Sequence, residues 1–502
     1  MKLLIIKRPI SPGLLAGYVL AGILFAFFSI WVTSLPTKHY AAVMGIVILS
    51  FPFLFFFLLV ADNTRERLVC FSVFTLGIGI PFNLDYNFFY RDYVGVTSFD
   101  ISVTLLSAMM ILLLLMREAR LNIDKPDGFR FQNHLVTTNA ILLYILACFL
   151  SLNNAEYYTL SFLELGRMLE LLFLYFIVSN LKKQKYLNIL ALSLALGMAL
   201  EGIIAVYQWK TGHTLGLYIF GEKKVELQDI GFIANRASGT IGNPNILGYY
   251  FEILIPFVFA LFIAEKKVFF KLFYMLSLLL GCAGIYATLS RGAWMTLPIS
   301  SAMIFLIMFK DRLLRISTAI WAWVLIMLAA IILMAAFPTI QKRFTHYDYG
   351  SANTRGPLNE AAFSVVKQFP VFGVGINNLA KVFKKYDQTG YSAMFVGKDH
   401  VVHNMYFHIW TETGTVGLLA FLSIFISVLW TAFLIMFKVS RFERAMIAGF
   451  AIGIVAQLLH ASVDPGFKIM MNVSMLVYTA IGVIAAIHLK YKNEQTATKT
   501  AS

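Results

Sequence analysis

Residues 235–264 read NRASGTIGNPNILGYYFEILIPFVFALFIA. A polar stretch with one arginine, two glycines and three asparagines runs straight into an apolar segment, which is long enough to supply the roughly 20 residues that a membrane-crossing helix needs. Asn243, Pro244 and Asn245 have the residue types of a helix entry, and the glycines permit close approach of the backbone. A helix N-terminus favours an anion through its free amides and dipole. Arg236 adds a guanidinium whose fork matches phosphate oxygens. A turn that merely enters a helix uses the same residues, so the stretch supports both an anion site and a plain cap.

Working outward, the chain is 59% hydrophobic and 13% charged, with a mean hydropathy of +0.76. These values lie beyond the range of soluble domains and predict an integral membrane protein. About fourteen segments are apolar enough to be candidate spans. The net charge of +15 does not point to nucleic acid, because Lys and Arg collect in alternate loops. DNTRER, LKKQK, EKKVFFK, KDRLLR and KVSRFER lie on one side, whereas LPTKHY, LNNAEYY and LSRGA lie on the other. Positive residues mark cytoplasmic loops, so the pattern predicts that both termini are cytoplasmic. Cys70, Cys148 and Cys282 fall in apolar runs without metal-ligand or disulfide spacing. The basic, then long apolar N-terminus reads as an uncleaved first span.

This reading divides the chain into N-terminal transmembrane helices over 1–208, an outer loop over 209–245, helices over 246–337, an extracytoplasmic loop over 338–407, helices over 408–490 and a cytoplasmic, disordered tail over 491–502. In the second loop, Leu358, Ala362, Val365 and Phe369 recur at helical spacing, as do Leu379, Val382, Phe383 and Tyr386. These segments predict amphipathic helices on the outer surface, joined by a glycine turn in FGVGINN.

Arg236, Arg291, Arg355 and His403 then share the outer face. Arg291 in TLSRGAW runs against the local charge bias; it suits either a snorkelling anchor or a phosphate ligand. Arg355 precedes a loop helix. His403 has the intrinsic pKa of a general base, with Glu412, His460 and Asp464 as candidate partners. His400, His403 and His408 lack the carboxylate or thiol company of a metal site, so no metal or other cofactor is expected. Within the bilayer, Glu164, Arg167 and Glu170 fall on one helical face, as a structural ion pair or a deep phosphate contact. Glu201 poses the same choice.

NRASGTIGNPNILGYY, TLSRGAW, TRGPLNEAAFSVVKQFPVFGVGINN and HNMYFHIWTETGTVGLLAF, in this order, resemble the O-antigen ligase and Wzy-type polymerase superfamily of bacterial glycosyltransferases. The resemblance covers roughly residues 230–430, with Asn359 where that family commonly has tryptophan. It implies an all-α, GT-C-like membrane bundle of about 12–14 helices in the bacterial cytoplasmic membrane. It also implies an enzyme that moves a glycan from undecaprenyl diphosphate to an acceptor hydroxyl, the acceptor being a glycan, lipid or protein. By the same resemblance, Arg236 and Arg291 contact the donor diphosphate, Arg355 matches the arginine that starts the loop helix, and His403 is the base. Arg167, His460 and Asp464 are further candidates. A flippase for lipid-linked oligosaccharides is the alternative, compatible with many spans and with charges inside the bilayer.

Overall fold

The computed structural model describes residues 64–82, 102–121, 129–229, 233–310, 338–345, 355–391 and 402–501. The expected spans over 13–34, 40–61 and 314–337 lie outside the described residues. The chain divides into two compact units, Met1–Arg67 and Leu68–Ser502; the account below concerns the second.

Eight described helices are long and apolar enough to cross a membrane, and the protein is an all-α polytopic membrane protein. In chain order the helices are α1 (Thr64–Gly79), α2 (Val103–Leu121), α3 (Leu135–Leu150), α4 (Tyr158–Ser179), α5 (Gln184–Thr211), α6 (Pro244–Ala264), α7 (Val268–Ala287), α8 (Arg291–Met308), α9 (Pro338–Thr345), α10 (Arg355–Gln368), α11 (Leu379–Tyr386), α12 (Met405–Ile435), α13 (Arg441–His460) and α14 (Met471–Ala501). An antiparallel hairpin, β1 (Glu226–Asp229) and β2 (Ile233–Arg236), interrupts the 209–245 loop. The sequence reading did not foresee it.

The span α6 is almost wholly enclosed and packs against α13 and α8. Two small residues one turn apart, Gly449 and Gly453, bring α13 onto the α6 backbone; a Cβ on Gly453 would lie 2.8 Å from Ile253 Cα. Small residues at this spacing let helices meet closely where lipid provides no hydrophobic drive between them. Around this pair, α7 packs on α5, α14 on α4, and α12 on α3.

Loop contacts sort the helix ends into two faces. On one, Gln132 bonds Asn180 and Asn493, Lys490 bonds Glu443, and Arg441 bonds the Ile263 carbonyl. On the other, Asn154 bonds the Gly373 carbonyl, Arg236 the Thr288 carbonyl, and Asn404 the Ser462 carbonyl. The second face carries the NRASGTIGNPN stretch, TLSRG and the loop helices.

Two expectations change. The tail is helical over 491–501, where α14 continues through Ala501, supported by Lys490–Glu494 and Gln495–Tyr491 contacts one turn apart. The loop helices α10 and α11 do not turn their apolar faces to a membrane surface. Leu358, Ala362, Val365, Leu379, Val382 and Phe383 close a core together with Val374 and Val402, and Phe369, Tyr386 and Phe407 pack against it.

That small core is tied to α12 through a break in the helix. Gly414 has φ 65°, a left-handed conformation that suits glycine. The amides of Val374 and Gly375 bond the Thr411 and Glu412 carbonyls at 2.9 and 3.0 Å, and the Thr415 amide bonds the Pro370 carbonyl at 2.9 Å. The FGVG turn thus supplies partners for backbone groups at the kink. Asn378 fixes the same turn to α4 by accepting from the Tyr157 amide at 2.7 Å and donating to Ser161 Oγ at 2.8 Å.

Candidate functional site

The motif loop is held from below by α5. Gln208 Oε1 accepts from the amides of Ser238 and Gly239 at 3.0 and 2.9 Å, and Glu201 accepts from the Thr240 amide at 3.2 Å and from its hydroxyl. These amides therefore hold the loop in place and are not presented to a ligand. Asn243 caps α6 by accepting from the amides of Asn245 and Ile246, and Pro244 opens the helix. The cap expected from NPN is present, and the glycine-bearing turn is scaffold.

The scaffold aims Arg236. Its Nε donates to the Thr288 carbonyl at 3.0 Å, one Nη donates to Asn245 Oδ1 at 2.7 Å, and Glu226 lies 3.5 Å from the other. Asn245 Nδ2 in turn donates to Asp464 Oδ2 at 3.1 Å. One asparagine, not singled out from the sequence, thus links the loop arginine to the α13–α14 connection.

TLSRG turns sharply before α8, with Leu289 at φ 51°. Arg343, on α9, donates to the Leu289 carbonyl at 3.2 Å; it too was missed in the sequence. Arg291 is the first residue of α8. Gly292 follows, and the imidazole of His460 lies so close over it that a Cβ would overlap the ring edge bearing Nε2. His460 Nδ1 is 3.0 Å from Glu252 Oε1, which also accepts from Thr296 Oγ at 2.6 Å. Tyr249 stacks on the same imidazole, with centroids 4.3 Å apart and 5° between planes.

His403 sits just before α12, whose start is pinned to the end of α13: Met405 donates to the Ala461 carbonyl at 2.9 Å, and Tyr406 Oη to the Leu458 carbonyl at 2.6 Å. His403 Nδ1 is buried without a hydrogen-bond partner among the described residues. Burial lowers its pKa below the ordinary 6.5; Asp464 opposes the shift, and Arg355, at the first position of α10, adds to it. The imidazole is therefore predominantly neutral at pH 7, the form that accepts a proton.

Arg236, Arg291, Arg355, His403, His460 and Asp464 consequently share one neighbourhood, linked through Asn245, Gly292 and the 461–470 connection. Among the described residues, Arg236 lies beside Glu226, Arg343 bonds the Leu289 carbonyl, and Arg355, Asp464 and Glu252 act on the two histidines. Arg167 lies in a separate, deeper cluster. It pairs with Glu164 at 3.2 Å and bonds the Lys468 carbonyl, while Lys468 Nζ bonds Glu412, and Glu412 lies 3.3 Å from His408. Glu412 thus serves His408 and Lys468, correcting its expected place beside His403. Glu201 is likewise spent on the loop.

The family model described as O-antigen ligase matches residues 276–422. Over this segment the chain is similar to the O-antigen ligases. The segment holds Arg291, Arg343, Arg355 and His403, whereas Arg236, His460 and Asp464 reach the cluster from outside the matched segment. That similarity supports a membrane enzyme that ligates or polymerises glycans. No curated protein matches the chain.

Proposed function

We propose that the protein is a metal-independent glycosyltransferase that takes a glycan from undecaprenyl diphosphate on the outer face of the bacterial cytoplasmic membrane and joins it to an acceptor hydroxyl. The observation that carries this reading is the convergence of Arg236, through Asn245 and Asp464, and of Arg355 on the buried His403 at one face of the bundle. With the basic loops of the opposite face placed in the cytoplasm, both termini are cytoplasmic and the cluster faces outward.

In this reading His403 accepts the proton of the acceptor hydroxyl while its oxygen attacks the anomeric carbon. The bond from that carbon to the phosphate oxygen breaks, its electron pair leaves with the lipid diphosphate, and the configuration inverts. The diphosphate gains negative charge as it departs, and Arg236, Arg291 and Arg355 stabilise that charge. Charged hydrogen bonds contribute about 1.5–3 kcal/mol each, so a guanidinium clamp can supply the electrostatic share of the catalysis. Lipid-linked donor brings its own activation, in keeping with a chain that carries no nucleotide-binding motif.

Purified protein in detergent with a lipid-linked oligosaccharide and a sugar acceptor tests the reading. Formation of a new glycosidic bond supports it, because detergent leaves no compartments to transport between. Binding without turnover across candidate acceptors would favour the flippase. Products that lengthen on undecaprenyl diphosphate identify a polymerase, and a single transfer onto a different acceptor identifies a ligase.

A further inference from the structure

We infer that the first turn of α8 together with His460 Nε2 seats one phosphate of the lipid diphosphate, with His460 contributing a charged donor; the inference rests on the donor assignment proposed above. Three observations converge. The N-cap residue of α8, Ser290, makes no side-chain cap hydrogen bond, unlike Asn243 at α6, so its own hydroxyl leaves the pole of this 18-residue helix to other groups. His460 is 5% exposed, and its Nδ1 is committed to Glu252. Its Nε2, unpartnered among the described residues, lies against Gly292 in that first turn.

Glu252 explains why the imidazole suits an anion. Its Oε1 takes Nδ1–H and the Thr296 hydroxyl, and its Oε2 is buried with no hydrogen-bond partner among the described residues. A carboxylate this enclosed calls for a counter-charge, and an imidazolium provides one while still presenting Nε2–H on its other side. Tyr249 stacking fixes the ring plane, so the donor is held in place before the ligand arrives. Other charged groups face this imidazole too: Asp464 from the connection after α13 and Arg355 from α10, with Arg291 at the same pole of α8. The seat therefore takes a phosphate, whose oxygens accept from a helix pole and a cation together.

The test is binding of undecaprenyl diphosphate and of undecaprenol, its neutral counterpart, to the purified full chain in detergent. His460→Gln keeps a hydrogen-bonding side chain and removes the charge. It should weaken the diphosphate by about tenfold or more, about 1.4 kcal/mol, while undecaprenol changes by less than about twofold. Gly292→Ala adds a methyl group against Nε2, leaves the Glu252 carboxylate intact, and should produce the same selective loss; it serves if the His460 variant does not fold. Equal loss of both lipids, or undiminished diphosphate binding in both variants, overturns the inference. Wild-type protein that binds both lipids alike would instead remove the donor reading on which the inference stands.

Discussion

Two of the charged clusters among the described residues are built on different plans. The deep cluster sets Glu164 and Glu412 against Arg167 and Lys468, two charges of each sign tied by direct ion pairs and a carbonyl bond. The outer cluster sets Arg355, Asp464 and Glu252 around His403 and His460, and its histidines keep ring nitrogens without a hydrogen-bond partner among the described residues. A balanced set closes on itself and joins α4, α12 and the 461–470 connection. A set with ring nitrogens left unbonded has hydrogen-bonding capacity to spare. Ionisable residues inside a membrane are functional candidates as a class, and that spare capacity separates the two cases here.

The contrast breaks first if the deep cluster is dispensable. Lys468→Ala leaves Glu412 without its ammonium partner, and uncompensated buried charges cost about 3–5 kcal/mol. Loss of monodisperse protein, or a large drop in the melting temperature, is the expected result; wild-type melting would show that the cluster does not hold the fold. Lys468→Met with Glu412→Leu should recover much of the loss, because replacing both partners removes the unpaired charge.

In the outer cluster the same kind of removal should spare the fold and abolish the chemistry. His403→Ala is expected to lower transfer by about 100- to 10,000-fold with an unchanged melting curve, since no hydrogen bond to Nδ1 is lost. Near-normal turnover would strip His403 of the base role. Arg236→Lys and Arg291→Lys keep the charge and lose the planar fork, so each should reduce kcat/KM by about tenfold to a hundredfold. Full activity in both would make them membrane anchors.

The smallest expected effect concerns pH. Asp464 raises the pKa of His403 against the lowering by burial and by Arg355. Removing that carboxylate in Asp464→Asn therefore lowers the pKa further and leaves the base neutral at more acidic pH. The acidic limb of kcat/KM should move down by less than about one unit. A profile of kcat/KM against pH for the two proteins checks the sign, and an upward movement contradicts the assigned geometry.

Much of this was legible in the sequence because it is local. Span length predicts the described membrane helices, the Asn-Pro-Asn run predicts the α6 cap, and the spacing of Leu358, Ala362 and Val365 predicts the buried face of α10. The i,i+3 spacing of Glu164 and Arg167 gives an ion pair. The unread features join residues far apart in the chain. Gln208 and Glu201 take up the motif-loop amides from a helix some thirty to forty residues away, so a glycine motif that suggests ligand contact proves to be framework. Asn245 bonds Asp464, and Gly292 meets His460, across more than 150 positions. Local pattern carries no record of such pairings. The same holds for Glu412, whose neighbours in sequence suggest His403 but whose position inside α12 turns it towards Lys468.

The kink at Gly414 has a mechanical consequence. Because the FGVG turn shares backbone hydrogen bonds with α12, the α10–α11 unit cannot lift off the bundle as a free flap without tearing the root of that helix. Any movement of this unit must swing about a hinge that leaves the weld intact.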